Sequence, residues 1–358
     1  MSLHKLLSTM DRQRFDACVV SLTDIGEIGR RIADLGIPVH AMGMRPGKAS
    51  PADVAKLRRK IRSLDPHVVH TWLYHSNLIG GLAAKLAGVP VVWGLRSSYA
   101  DASCLKRSTY IVRRVCGMLS GWVPAQIVSC AREAIETHVN VGYSRAKMMV
   151  IPNGYDTDLY RPDEAARAAV RAELRIPDDA LVIGSVANFG PNKDHRNFLE
   201  ACARVRREIP GCHFILCGRN VVLENAELSA WIVELGLSGC SHVLGQRSDL
   251  PRVYAAMDVL ALSSRAEAFP NVVAEAMSCG VPCAVTNVGD AEYITGETGI
   301  VVPPRDSQAL AEACLTLLHM PTDERIELGM TARKRIHDMF GLRAVTAEYE
   351  ALYMGLLQ

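Results

Sequence analysis

Short apolar runs rich in Val, Ile and Leu alternate along almost the whole chain with stretches whose apolar positions recur every three or four residues. The runs fit strands buried on both faces and the stretches fit amphipathic helices, so the alternation predicts parallel sheets built from strand-helix-strand units. In the first half the predicted strands are Ala17 to Leu22, Pro38 to Met42, His67 to Trp72, Pro90 to Leu95, Ala125 to Cys130 and Met148 to Pro152. Ser76 to Ala87 and Ala131 to Val141 read as helices between them. The second half repeats the pattern at Leu181 to Ala187, His213 to Gly218, His242 to Gly245, Val259 to Ser264, Pro282 to Asn287 and Gly299 to Pro303. The expected class is α/β, with two doubly wound, Rossmann-like domains. Pro, Gly, Asn and Asp cluster from Asn153 to Pro162 and mark a hinge, giving domains 1–157 and 158–342. A last helical stretch, 343–358, is left over and is expected to cross back to the first domain.

The opening departs from this scheme, because Leu3 to Met10 reads as a helix and the first strand arrives only at Ala17. In a doubly wound sheet of order 3-2-1-4-5 the first strand is central and its following turn approaches the ligand crevice. Leaving it out sets two strand edges against each other inside a core, at ~1–3 kcal/mol for each unpaired backbone group. The first domain is therefore expected to lack its opening strand, as in a chain that starts late. A different strand order, or another element closing the gap, is the alternative.

At 358 residues, with 49% hydrophobic and 22% charged positions, the composition is ordinary and globular, which excludes disordered and fibrous classes. No apolar run approaches the ~18 residues that cross a bilayer, and the N-terminus lacks the apolar core of a signal peptide, so a cytoplasmic location is expected. Eleven cysteines at irregular intervals, none in CxxC spacing, fit neither a disulfide framework nor a zinc ribbon. The net charge of +2 hides a split: residues 1–157 carry 21 Lys and Arg against 11 Asp and Glu, and residues 158–358 carry 19 against 27. A basic half suits an anionic partner, with nucleic acid and membrane surface as the classes, or is simply solvated surface.

The segment from Ser263 to Pro282, SSRAEAFPNVVAEAMSCGVP, carries the chemistry. A strand ends at Ser264, so Arg265 to Phe269 form the loop at its carboxyl end, where open α/β sheets bind ligands. Pro270 suits the first position of a helix that stops near Gly280, and the positive end of that helix suits an anion. Glu267 precedes the helix and Glu275 lies inside it, ~7.5 Å of helical rise beyond Pro270. Two acceptor carboxylates around one anion site describe a nucleotide-sugar, with hydroxyls at both ends and phosphate between. A helix-entry carboxylate and an exposed mid-helix one are the plain structural alternative.

EAFPNVVAE and its flanks, together with VVHTWLYHSNLIGGLAAKLAGVPVV, VIPNGYDTDLYRP, IGSVANFGPNKDH and VLGQRSDLP, resemble the retaining glycosyltransferases of family 4. The resemblance covers essentially the whole chain apart from that family's opening strand and glycine loop. It implies the GT-B fold, two Rossmann-like domains facing a cleft. It also implies that Glu275 holds the ribose hydroxyls and Glu267 the hexose hydroxyls, with backbone at Phe269, Asn271 and Val272 lining phosphate and sugar. Lys193 matches the family lysine that neutralises the diphosphate. The paired family arginine is here Asn188, so phosphate stabilisation leans on Lys193, the helix dipole and Arg265 or Arg247. Gln246 to Asp249 would approach the base. Where the family often carries an acceptor-side histidine this chain has Arg96, and His70 and His75 lie at a strand end and loop expected to face the same crevice.

The implied reaction moves a hexosyl group, with retention, from a nucleoside-diphosphate sugar to a saccharide or lipid-linked acceptor in polysaccharide or glycolipid synthesis. No metal and no further cofactor are expected: His67, His70 and His75 do not converge, HExxH is absent, and the Asp156-Thr157-Asp158 triplet lies in the hinge turn. Neither a P-loop nor GxGxxG is present. The stretch 105–114 mixes Lys106, Arg107, Arg113 and Arg114 with apolar residues, which suits the anionic inner face of a membrane, and no nucleic-acid partner is expected. A sugar-nucleotide epimerase of the same architecture and a non-catalytic binding protein are the alternatives.

Overall fold

A computed structural model of the chain describes residues 2–45, 50–96 and 106–357. The chain forms two compact units, Met1–Gly154 with Leu342–Gln358, and Tyr155–Gly341.

The first unit contains β1 (Val19–Ser21), β2 (Val39–Ala41), β3 (Val69–Trp72), β4 (Val91–Leu95), β5 (Gln126–Ser129) and β6 (Met148–Val150). All pairings are parallel, but they make two sheets: β1 with β2, and β3-β4-β5-β6 in that order. The expected break thus falls between β1 and β3, and among the described residues no strand joins those two edges. The helix Ser2–Thr9 spans both pieces instead. Its Leu6 packs with Val92, Val128, Ile151 and Tyr349, and its neighbour Leu7 packs with Ile32 and Ile37. β4 reads Val-Val-Trp-Gly-Leu and is buried at all five positions, as a central parallel strand requires.

The second unit holds β7 (Val182–Val186), β8 (His213–Cys217), β9 (Ser241–Val243), β10 (Val259–Leu262), β11 (Cys283–Thr286) and β12 (Gly299–Val302). They form one parallel sheet of order β12-β11-β10-β7-β8-β9. Its core runs through Ile183, Phe214, Leu216 and Val259 to the helices His195–Glu208 and Ser307–His319. At the amino ends of β7 and β10 the buried Asp258 accepts from Arg171 and from the Val182 N–H, both at 2.8 Å. That pairing satisfies a charge inside the core and ties the two strands together.

The chain runs from β7 outward through β8 and β9, then returns to β10 on the other side of β7. This reversal makes the carboxyl ends of β7 and β10 the topological switch point, where a crevice is expected in an open parallel sheet.

Candidate functional site

The loops leaving β7 and β10 are stitched together. The Arg265 N–H donates to the Asn192 carbonyl at 2.7 Å, and Ser263 Oγ donates to the Lys193 carbonyl at 2.9 Å. Arg265 also forks onto the Asp194 carboxylate, Nε to Oδ2 at 2.5 Å and Nη2 to Oδ1 at 2.7 Å. This clamp raises the arginine pKa, chiefly through the hydrogen bond.

Within that frame Lys193 Nζ forms an ion pair with Glu267, whose carboxylate also accepts from Ser264 Oγ at 2.7 Å. The Glu267 side chain is 13% exposed and the Lys193 side chain 31%, so both remain reachable. Below the loop, Gly289 has φ +56, and a Cβ there would lie 2.5 Å from the Ala268 carbonyl oxygen and 2.7 Å from that of Glu267. Only glycine allows this approach. The Asp290 N–H then donates to Ala268 at 2.9 Å and fixes the height of the Glu267 backbone.

The helix that follows runs Asn271–Ser278, with Pro270 at its N-cap rather than at its first helical position. Phe269 turns into the core, stacked on Tyr155 at 6.4 Å and edge-on to Phe340 at 5.8 Å, so only its backbone is available to a ligand. Tyr155 donates to Asn271 Oδ1 at 2.6 Å, while Val272 is half-buried beside it. Glu275 is half-buried and accepts from Tyr254 at 3.0 Å. Tyr160 lies against the same carboxylate, and burial followed by that negative charge raises both phenols, keeping them neutral donors. The plain alternative of a fully solvated mid-helix glutamate is not what is found.

Other sequence candidates are placed differently. Arg247 forks onto Asp249 and also pairs with Glu173, so its charge is matched. Asn188 is exposed, and its Oδ1 accepts the Arg219 N–H at 3.0 Å. Arg219 itself, missed by sequence reasoning, is an exposed cation with no ion pair among the described residues. Its only sequence signal is a position just past β8. Asp156 caps a turn, accepting from the Asp158 and Leu159 N–H groups at 3.0 Å, and among the described residues no group of three ligating side chains is suited to a metal.

In the first unit, two acceptor-side candidates have partners within the unit itself. Arg96 sits 4.0 Å from the Trp72 ring centroid and donates to the Tyr349 hydroxyl at 2.7 Å. His70 shares a 2.7 Å hydrogen bond with Tyr353, and burial, reinforced by Arg96, lowers its pKa to about 3. Both are engaged by the helix Leu342–Gly355, a contact that local sequence does not encode. His75 stays half-buried in the first turn of the helix Tyr74–Ala87. Just before it stands Leu73, 58% exposed at φ +74 and ψ 158. That backbone region is essentially reserved for glycine.

Two family descriptions match the chain, "Glycosyltransferase Family 4" over residues 1–159 and "Glycosyl transferases group 1" over residues 180–320. Among curated relatives, the UDP-Gal:alpha-D-GlcNAc-diphosphoundecaprenol alpha-1,3-galactosyltransferase of Escherichia coli is 24% identical over 81% of this chain and 76% of its own length. A D-inositol 3-phosphate glycosyltransferase of Saccharomonospora viridis is 30% identical over 75% of this chain and 65% of its own length. Among solved structures, Anabaena Alr3699/HepE in complex with UDP superposes with a TM-score of 0.86 at 22% identity, covering 99% of this chain and 95% of that one. Switch-point loops, paired sheets and family descriptions covering both halves agree: the chain belongs to glycosyltransferase family 4 and has the GT-B fold.

Proposed function

We propose that this glycosyltransferase moves a hexosyl group, with retention, from a nucleoside-diphosphate sugar to a saccharide or lipid-linked acceptor at the inner face of a membrane. The carrying observation is the meeting of Lys193, Glu267 and the amino end of the helix Asn271–Ser278 on two loops fastened to each other at the switch point. The diphosphate would lie against Lys193 and that helix end, where backbone N–H groups and the dipole favour negative charge. Glu267 would accept from hexose hydroxyls and Glu275 from the ribose.

Arg265 is forked onto Asp194, and Arg247 is forked onto Asp249 and paired with Glu173, whereas Lys193 makes one ion pair among the described residues, with Glu267, and keeps further ammonium donors for a phosphate. Arg219 is the better second cation. In the step itself, the acceptor oxygen attacks the anomeric carbon as the bond to the phosphate oxygen breaks, and the acceptor proton passes to that departing oxygen. Lys193 would stabilise the charge that appears on the diphosphate.

UDP is the first donor to test, because the E. coli relative is named for UDP-Gal and the Anabaena neighbour was solved with UDP. The test is transfer of radiolabel from UDP- and GDP-hexoses into a bacterial lipid extract, with Lys193→Ala beside the wild-type chain. Transfer that persists in EDTA and falls by about 10²–10³ in the variant is expected for a preorganised electrostatic group. A product epimer formed from donor alone, or activity restored only by manganese, would contradict this reading.

A further inference from the structure

We infer that the outer stripe of the helix Arg107–Leu119 is a docking surface for an anionic lipid bilayer. This rests on the lipid-linked acceptor proposed above and names the surface that would bring the enzyme to it. Arg107, Ile111, Arg114 and Met118 recur at helical spacing on one face, and all four are exposed. Trp122 continues the line one turn beyond. Ile111, Met118 and Trp122 are 53%, 76% and 54% exposed, a large apolar area for one short stretch.

Single exposed apolar side chains are ordinary on a protein surface, but a row of them interleaved with cations is not. Lys85 lies 5.9 Å from the Trp122 ring centroid, at the end of the neighbouring helix Tyr74–Ala87 beside the exposed Leu86. Lys147 is fastened next to the same indole by 2.7 Å hydrogen bonds to the Gly121 and Pro124 carbonyls. Among the described residues no ion pair engages Lys85, Arg107, Arg114 or Lys147, the nearby Glu136 being paired with Arg145, and between Pro66 and Arg132 the sequence holds one acidic residue, Asp101. Leu105 and Asp101 lie outside the described residues.

Charge complementarity selects the occupant. A soluble protein partner would be expected to meet a patch this basic with acidic residues, whereas an anionic bilayer supplies negative headgroups and an apolar layer together. Tryptophan at the boundary of the two is the side chain best suited to that depth.

The test is cosedimentation of the full chain with vesicles of 30% phosphatidylglycerol in phosphatidylcholine, and with pure phosphatidylcholine, at low and high salt. Binding to the anionic vesicles that weakens with salt is expected. Reversing Arg107 and Arg114 together (Arg107→Glu, Arg114→Glu) should weaken it at least tenfold, since each cation near such a surface contributes roughly a fivefold factor. Ile111→Ser with Met118→Ser and Trp122→Ser should weaken it comparably. Ile326→Ser with Met330→Ser, an exposed apolar pair on the helix Thr322–Phe340 of the second unit, should change nothing. UDP affinity, measured on every variant, reports folding and keeps the donor reading separate. Equal binding to neutral vesicles, no binding, or indifference to the stripe variants would overturn the inference. So would a dimer in solution that the stripe variants dissociate.

Discussion

Leu73 holds a backbone conformation that costs about 1–3 kcal/mol for a residue with a Cβ, at the turn between β3 and the helix Tyr74–Ala87. Its side chain is mostly exposed, so burial does not repay that strain. Leu73→Gly should therefore stabilise the first unit by about 1 kcal/mol after the added freedom of the unfolded chain is subtracted, and Leu73→Ala should not. Denaturant midpoints of the two variants decide it, and a Gly variant no more stable than Ala would mean the turn is unstrained. At the same scale, the Lys193–Glu267 pair shows how a site can be charged yet balanced. Each group holds the other in place, and under the proposed function a phosphate would offer Lys193 a second partner.

The helix Leu342–Gly355 is the element whose role changes the reading of its neighbours. Arg96 is sandwiched against Trp72 and Tyr349, so it acts as a fastening for this helix. Arg96→Ala should cost about 2–4 kcal/mol and expose the C-terminal helix to proteolysis, and Arg96→Lys should not restore it, because a lysine lacks the planar fork. Unchanged stability with a raised acceptor KM would instead return Arg96 to acceptor binding.

Strands such as Val91–Leu95 were legible because a continuous apolar run between turn residues has few other uses. The split first sheet was legible too, since the helical opening leaves no strand for its middle. The candidate pair Lys193 and Glu267 followed from strand-end position and family resemblance. What was hidden depends on partners far apart in sequence: Asp194 with Arg265, Tyr254 with Glu275, and the aromatic residues of the last helix with His70 and Arg96. Periodicity gives each helix a buried face but does not say which groups that face will meet.

For the whole molecule, buried histidines tie stability to pH. Burial lowers His70 to about 3, and His138 and His195 to about 4. His138 is held as the neutral ring, with Nδ1 at 2.5 Å from the Ala134 carbonyl and Nε2 at 2.8 Å from the Tyr74 hydroxyl. Because the folded values lie below the unfolded value of 6.5, the unfolded chain binds more protons as pH falls. Stability is then full above about pH 6.5 and is lost at roughly 1.4 kcal/mol per pH unit for each histidine in its window. Thermal midpoints should fall steadily from pH 7 to pH 4.5, and a flat profile would contradict the buried neutral assignments.

The opposite charges of the two halves belong to this scale as well. The basic half carries the exposed stripe proposed above to meet lipid, while in the acidic half Lys193, Arg247 and Arg265 are each paired with carboxylates and Arg219 has no ion pair among the described residues. The central claim is that the loops after β7 and β10 bind a nucleoside diphosphate, and calorimetric titration of UDP and GDP in EDTA tests it without knowledge of the acceptor. The wild-type chain should bind one of them, and Lys193→Ala and Glu275→Gln should each weaken that binding at least tenfold while leaving the thermal midpoint within a few degrees. Failure to bind either nucleotide, or affinity indifferent to both substitutions, would contradict the account.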